Sequence, residues 1–146
     1  VRGANARCKA MMEAFKHVIR DYQLPLGKLL TQDLDTIVKT HFQHLTSCRL
    51  HSISMGNAVT FLKIAIANLS RDVQTETAKE MLCDQIDAYV QERITFAGEV
   101  ICDYAMSKIQ NGDVILVYGR SEVVQTLLLR ANQNKDLSFR VIVVDS

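Results

Sequence analysis

Four groups of residues in this chain have types and spacing that could do chemistry. His41 and His44 stand at i, i+3 in a segment of helical periodicity, close enough to share a metal ion. No carboxylate or thiol at matching spacing completes a ligand set, so both read as ordinary helix histidines and no metal is expected. The run Ser47-Cys48-Arg49-Leu50-His51-Ser52-Ile53-Ser54-Met55-Gly56-Asn57-Ala58 gathers an arginine, a histidine, serines and an asparagine around a helix start. Arg49, Ser52, Ser54 and Asn57 could hold an anion or phosphate through the guanidinium and the free backbone N–H groups there. A capped helix start with an exposed arginine accounts for the same residues equally well. The turn Gly119-Arg120-Ser121 could cradle a phosphate on the following helix N-terminus. It lacks a GxGxxG or P-loop pattern, and Glu122 puts a repelling negative charge in the first turn. Asp145, at the end of an apolar run, could meet a ribose hydroxyl or simply form a turn. None of these groups supplies a catalytic set, and no cofactor is expected.

The elements that must position these residues change character along the chain. Val114–Val117 is a continuous apolar run, β-branched at three of four positions and bounded by Gly112 and Gly119. That pattern predicts a strand buried on both faces, as in a parallel sheet. Val123, Val124, Leu127 and Leu128 then recur at helical spacing, with Arg130 near the helix end, and Phe139–Val144 reads as a second buried strand. Strand, glycine turn, helix and strand make one βαβ unit, whose ligands belong at the carboxyl ends of the strands. Two parallel strands cannot hold a core, so the expectation is a piece of a longer protein.

Before Asn111 the periodicity is helical. Cys8, Met11, Met12, Phe15, Val18, Ile19 and Tyr22 predict an amphipathic helix ending before Pro25. Thr31 is the expected N-cap of a second helix, with Asp33 and Asp35 in its first turn and a stripe of Leu34, Ile37, Val38, His41 and Leu45. A third helix is expected from about Ser54 to Leu69, with Met55, Ala58, Val59, Leu62 and Ile66 on one face. From Thr75, apolar positions including Ala78, Leu82, Ile86, Ile94, Ile101 and Tyr104 continue as one long helix to Asn111-Gly112, with Gly98 allowing close packing. The fold class is therefore α + α/β. A helical N-terminal domain (1–110) precedes the start of a parallel α/β domain (111–146), truncated after its first βαβ unit.

Bulk properties narrow the function classes. A net charge of +1 gives no electrostatic case for nucleic acid or a membrane surface. The longest apolar runs fall far short of the roughly 20 residues that span a bilayer. Cys8, Cys48, Cys83 and Cys102 are widely separated and form no CxxC pair, so they read as free thiols of a reducing, cytosolic compartment.

Several stretches carry a resemblance: Asn5-Ala6-Arg7-Cys8; Leu45-Thr46-Ser47-Cys48-Arg49 through Ser54-Met55-Gly56-Asn57-Ala58; Ile86-Asp87-Ala88-Tyr89-Val90-Gln91-Glu92; and Asn111-Gly112-Asp113-Val114-Ile115-Leu116-Val117-Tyr118-Gly119. Over essentially its whole length the chain resembles the regulatory subunit family of eukaryotic translation initiation factor 2B. The last two motifs look more like its delta members than its alpha and beta members. The resemblance implies a helical domain followed by a Rossmann-like domain. It also implies kinship with isomerases of ribose 1,5-bisphosphate and methylthioribose 1-phosphate, whose catalytic cysteine follows the first Rossmann strand. That position is Gly119 here, which has no side chain, and the isomerase Arg-Pro-Thr pattern is here Arg49-Leu50-His51.

By resemblance, then, the expectation is a non-catalytic regulatory and scaffolding subunit of a cytosolic guanine nucleotide exchange complex. Its implied partners are the alpha, beta, gamma and epsilon subunits of initiation factor 2B, a second delta subunit, and the phosphorylated alpha subunit of initiation factor 2. A sugar-phosphate isomerase and a small-molecule-binding Rossmann domain are the alternatives. The expected partner-binding surface is Glu122, Val123, Thr126 and Leu127, at the first turns of the helix after Gly119, although packing on the sheet accounts for Val123 and Leu127 equally well.

Overall fold

The computed structural model describes residues 3–134 and 136–144; Asp145 lies outside the described residues. Contacts divide the chain into two compact units, Val1–Gln91 and Glu92–Ser146.

The first unit consists of four helices. In α1 (Ala4–Asp21) the apolar stripe Cys8, Met11, Met12, Phe15 and Ile19 is buried, and the helix ends at an extended Tyr22, before Pro25. It packs on α3 (Ile53–Ala67) and α4 (Thr75–Val90), and α3 also packs on α2 (Leu30–Cys48). All five apolar positions expected on the buried face of α3 are buried. Side chains of this size contribute about 1.5–3 kcal/mol each when fully buried, so this interior is the main source of the unit's stability.

Helix α2 departs from the expected pattern at both ends. Its N-cap position is Leu29, not Thr31, and no side chain caps it. Asp33 does lie in the first turn, but its carboxylate is turned to the core. It accepts hydrogen bonds from the Tyr22 hydroxyl (3.0 Å) and the Lys28 ammonium (2.6 Å). Asp35 lies beyond the first turn and pairs with Lys63 at 3.5 Å. Of the α2 stripe, Leu34 and Val38 are buried while His41 and Leu45 are exposed, because α3 is the helix that packs on α2.

The single long helix expected from Thr75 is three elements. After Val90 the backbone widens into a π-helical stretch, Gln91–Phe96, and α5 (Ala97–Met106) follows. The division between units falls at Gln91, earlier than the 110/111 boundary expected from Gly112, because α5 packs on α6 (Glu122–Gln133). Cys102 is the buried residue of α5, whereas Ile101 and Tyr104, expected on the apolar face, are exposed.

In the second unit, β1 (Val114–Tyr118) and β2 (Arg140–Val144) pair in parallel, with Val114 beside Arg140 and Tyr118 beside Val144. Helix α6 is the crossover that parallel pairing requires. The Asn111-Gly112-Asp113 turn fixes where pairing begins. Asn111 Oδ1 accepts from the Ser138 N–H, the Gly112 N–H donates to the Ser138 carbonyl, and Asp113 Oδ2 accepts from the Gln110 N–H. The strands are not buried on both faces as expected. Leu116 is 69% exposed and Ile142 50%. Paired residues of parallel strands share a face, so Val114, Leu116, Tyr118, Ile142 and Val144 line one side, which no element of this unit covers among the described residues.

Burial, then the adjacent Asp33 carboxylate, pushes the Tyr22 phenol from its usual 10 up to about 12. The fold thus favours neutral Tyr22. That stability is fully present below pH 10 and is lost as pH rises through about 12. Tyr22→Phe is expected to cost about 1–3 kcal/mol at neutral pH, through the lost hydrogen bond to a carboxylate. The gap between the two proteins should shrink between pH 10 and 12. Urea unfolding at stepped pH measures both.

Candidate functional site

The carboxyl edge of the two strands is shaped by the turn after β1. Gly119 sits at φ 67, in the left-handed region that favours glycine, and its N–H donates to the Val144 carbonyl at 2.8 Å. The turn thereby ties β1 to β2 while reversing the chain into α6. Ser121 is the N-cap, its hydroxyl accepting from the Val124 N–H at 3.5 Å, and the Arg120 guanidinium donates to the Gln125 side chain at 3.3 Å.

A cleft of about 510 Å³ opens between α6 and the odd-numbered face of the strands. Val117, Val143, Val124 and Leu128 supply much of its apolar lining, and among the described residues Arg120 is its one ionisable group. Among the described residues the lining holds no cysteine, histidine or carboxylate. Ser121 already serves as a helix cap.

The four expected partner-binding residues do not share one exposed surface. Glu122 is exposed, whereas Val123, Thr126 and Leu127 are half-buried. Thr126 turns its hydroxyl back to the Glu122 carbonyl at 3.0 Å. The Val123 side chain faces α5, and its carbonyl accepts from the Cys102 thiol at 3.4 Å. Arg130, one turn beyond Thr126, pairs with Asp103 of α5 at 3.4 Å. Val123 and Arg130 are therefore engaged with α5, and Glu122 is exposed.

The expected anion-binding residues are brought together in part. The Ser52 and Ser54 hydroxyls lie 3.0 Å apart. Both are already engaged, Ser52 as the α3 N-cap accepting from the Met55 N–H and Ser54 donating to the Ala4 carbonyl. Asn57 is exposed on α3, and Arg49 is exposed as the C-cap of α2. The arginine that does bind at this corner is Arg7, whose guanidinium donates to the Leu50 carbonyl at 2.8 Å. Next to it, the Cys8 thiol donates to the Ser54 carbonyl at 3.3 Å, and burial pushes that thiol above its usual range, which makes it inert. His41 and His44 are exposed, and among the described residues no three metal-binding side chains gather. Arg7 and Cys8 were legible as a motif but not as struts, because their partners are backbone carbonyls more than forty positions away.

The model of the initiation factor 2 subunit family matches residues 1–146. The chain belongs to the initiation factor 2 subunit family. The translation initiation factor eIF2B subunit delta of Schizosaccharomyces pombe is 46% identical over 99% of this chain and 31% of its own length. The subunit of the same description from Dictyostelium discoideum is 39% identical over 100% of this chain and 23% of its own. A chain of the tetrameric eIF2B-beta2-delta2 complex from C. thermophilum superimposes with a TM-score of 0.90 at 35% identity, over 100% of this chain and 47% of that one. The resemblance to delta members carried by the motifs therefore holds, as does the expected fold class. The chain spans less than a third of the length of these two curated relatives.

Two of the three glycines in this family member's second unit, Gly98 and Gly119, should respond oppositely to alanine. A Cβ at Gly119 meets nothing within 4 Å, so Gly119→Ala is expected to cost about 1–2 kcal/mol through its backbone angle alone. A Cβ at Gly98 would lie 3.6 Å from the Val123 side chain, an ordinary contact. Gly98→Ala is therefore expected to stabilise α5 by up to about 1 kcal/mol. Thermal unfolding of both variants checks the opposite signs.

Proposed function

We propose that this chain is part of a non-catalytic regulatory and scaffolding subunit of the guanine nucleotide exchange factor for translation initiation factor 2. In this reading it helps sense the phosphorylated alpha subunit of that factor. The observation that carries the proposal is the 46% identity to an eIF2B delta subunit over 99% of this chain. The partners proposed are the alpha, beta, gamma and epsilon subunits, a second delta subunit and the phosphorylated alpha subunit of initiation factor 2, all in the cytosol. Assembly with a beta-type subunit is supported by the likeness to a chain of the beta2-delta2 complex. Among the described residues no helix is long and apolar enough to cross a membrane.

Sensing in such a subunit is differential binding. The phosphorylated and unphosphorylated partners must favour different poses or conformations of the assembly, and exchange follows whichever is populated. A proposed contact is Glu122, exposed in the first turn of α6. Val123 would act behind it, holding the turn against α5, with Thr126 and Leu127 alongside. At the position that the resemblance assigns to the catalytic cysteine of the related isomerases, Gly119 offers backbone alone, and this favours regulation over sugar-phosphate chemistry.

Glu122→Lys reverses a charge without opening a cavity, and the helix dipole makes it cost about 0.3–1 kcal/mol. In the reconstituted complex it should leave assembly and basal exchange intact while shifting inhibition by the phosphorylated partner about fivefold or more. Exchange assays with and without that partner read the effect, and unchanged inhibition would remove this surface from the mechanism. The full-length protein should also convert neither ribose 1,5-bisphosphate nor methylthioribose 1-phosphate. Turnover of either would overturn the non-catalytic reading.

A further inference from the structure

We draw no further inference here: the strongest candidate, the apolar cleft between α6 and the β1–β2 sheet, is an unpartnered face, and nothing in the structure shows what covers it.

Discussion

An ammonium group inside a helical bundle has to meet a carboxylate, and the first unit is arranged around one such meeting. Lys16 lies on the buried face of α1, its side chain 9% exposed, and its Nζ stands 2.7 Å from Asp87 of α4 and 3.3 Å from Glu13. The hydrogen bond to Asp87 is the main reason that the Lys16 pKa is raised, against the opposing effect of burial. Left unpaired, the charge would be partly desolvated without compensation. The pairing therefore restricts how α1 and α4 can meet, and α1 is also the helix against which α3 packs. Tyr22, Asp33 and Lys28 do the same for the entry to α2, with the Lys28 ammonium holding the Asp33 carboxyl below its usual range.

Seen this way, the stretches that carry the family resemblance are largely fasteners. Arg7 holds the connection between α2 and α3 through the Leu50 carbonyl, and Cys8 holds the first turn of α3 through the Ser54 carbonyl. Asp87 neutralises Lys16, and two residues on, Tyr89 stacks against Phe61 of α3 with ring centroids 4.5 Å apart. Asn111, Gly112 and Asp113 set the start of the parallel pair, and Gly119 closes its other end. Arg49 and Glu122 stand apart from this pattern, exposed at the ends of their helices.

The helices were legible because burial on one side leaves a 3.6-residue period, and α1 carries it cleanly. The strands were legible as strands, and so was an uncovered apolar face, since two parallel strands cannot hold a core; an apolar run does not say which residues line that face, so the place of Leu116 and Ile142 on it was not. The π-helical stretch had a faint signal: Ala78, Leu82, Ile86, Val90 and Ile94 recur every four residues. In an α-helix that spacing drifts by about 40° per step, and a turn with i→i+5 bonds holds more residues. Lys16 interrupts an apolar stripe and could have been flagged on that ground. Its partner could not, because Asp87 lies 71 positions away. The site residues were read from local spacing alone, which placed Glu122 on the surface but could not show that α5 takes Val123.

The claim at the centre of this account is that motif residues act as struts between elements, and a double-mutant cycle on Lys16 and Asp87 tests it most directly. Lys16→Met keeps most of the packed stem and removes the charge; Asp87→Asn keeps the shape and removes the opposite charge. Because Asp87 is 58% exposed, the coupling is expected to be about 1–2 kcal/mol, below the range for a fully buried pair. Asp87→Asn should therefore destabilise the protein when Lys16 is present and cost little beside Lys16→Met. Additivity within about 0.5 kcal/mol would contradict the account, since it would mean that the two residues do not work as a pair.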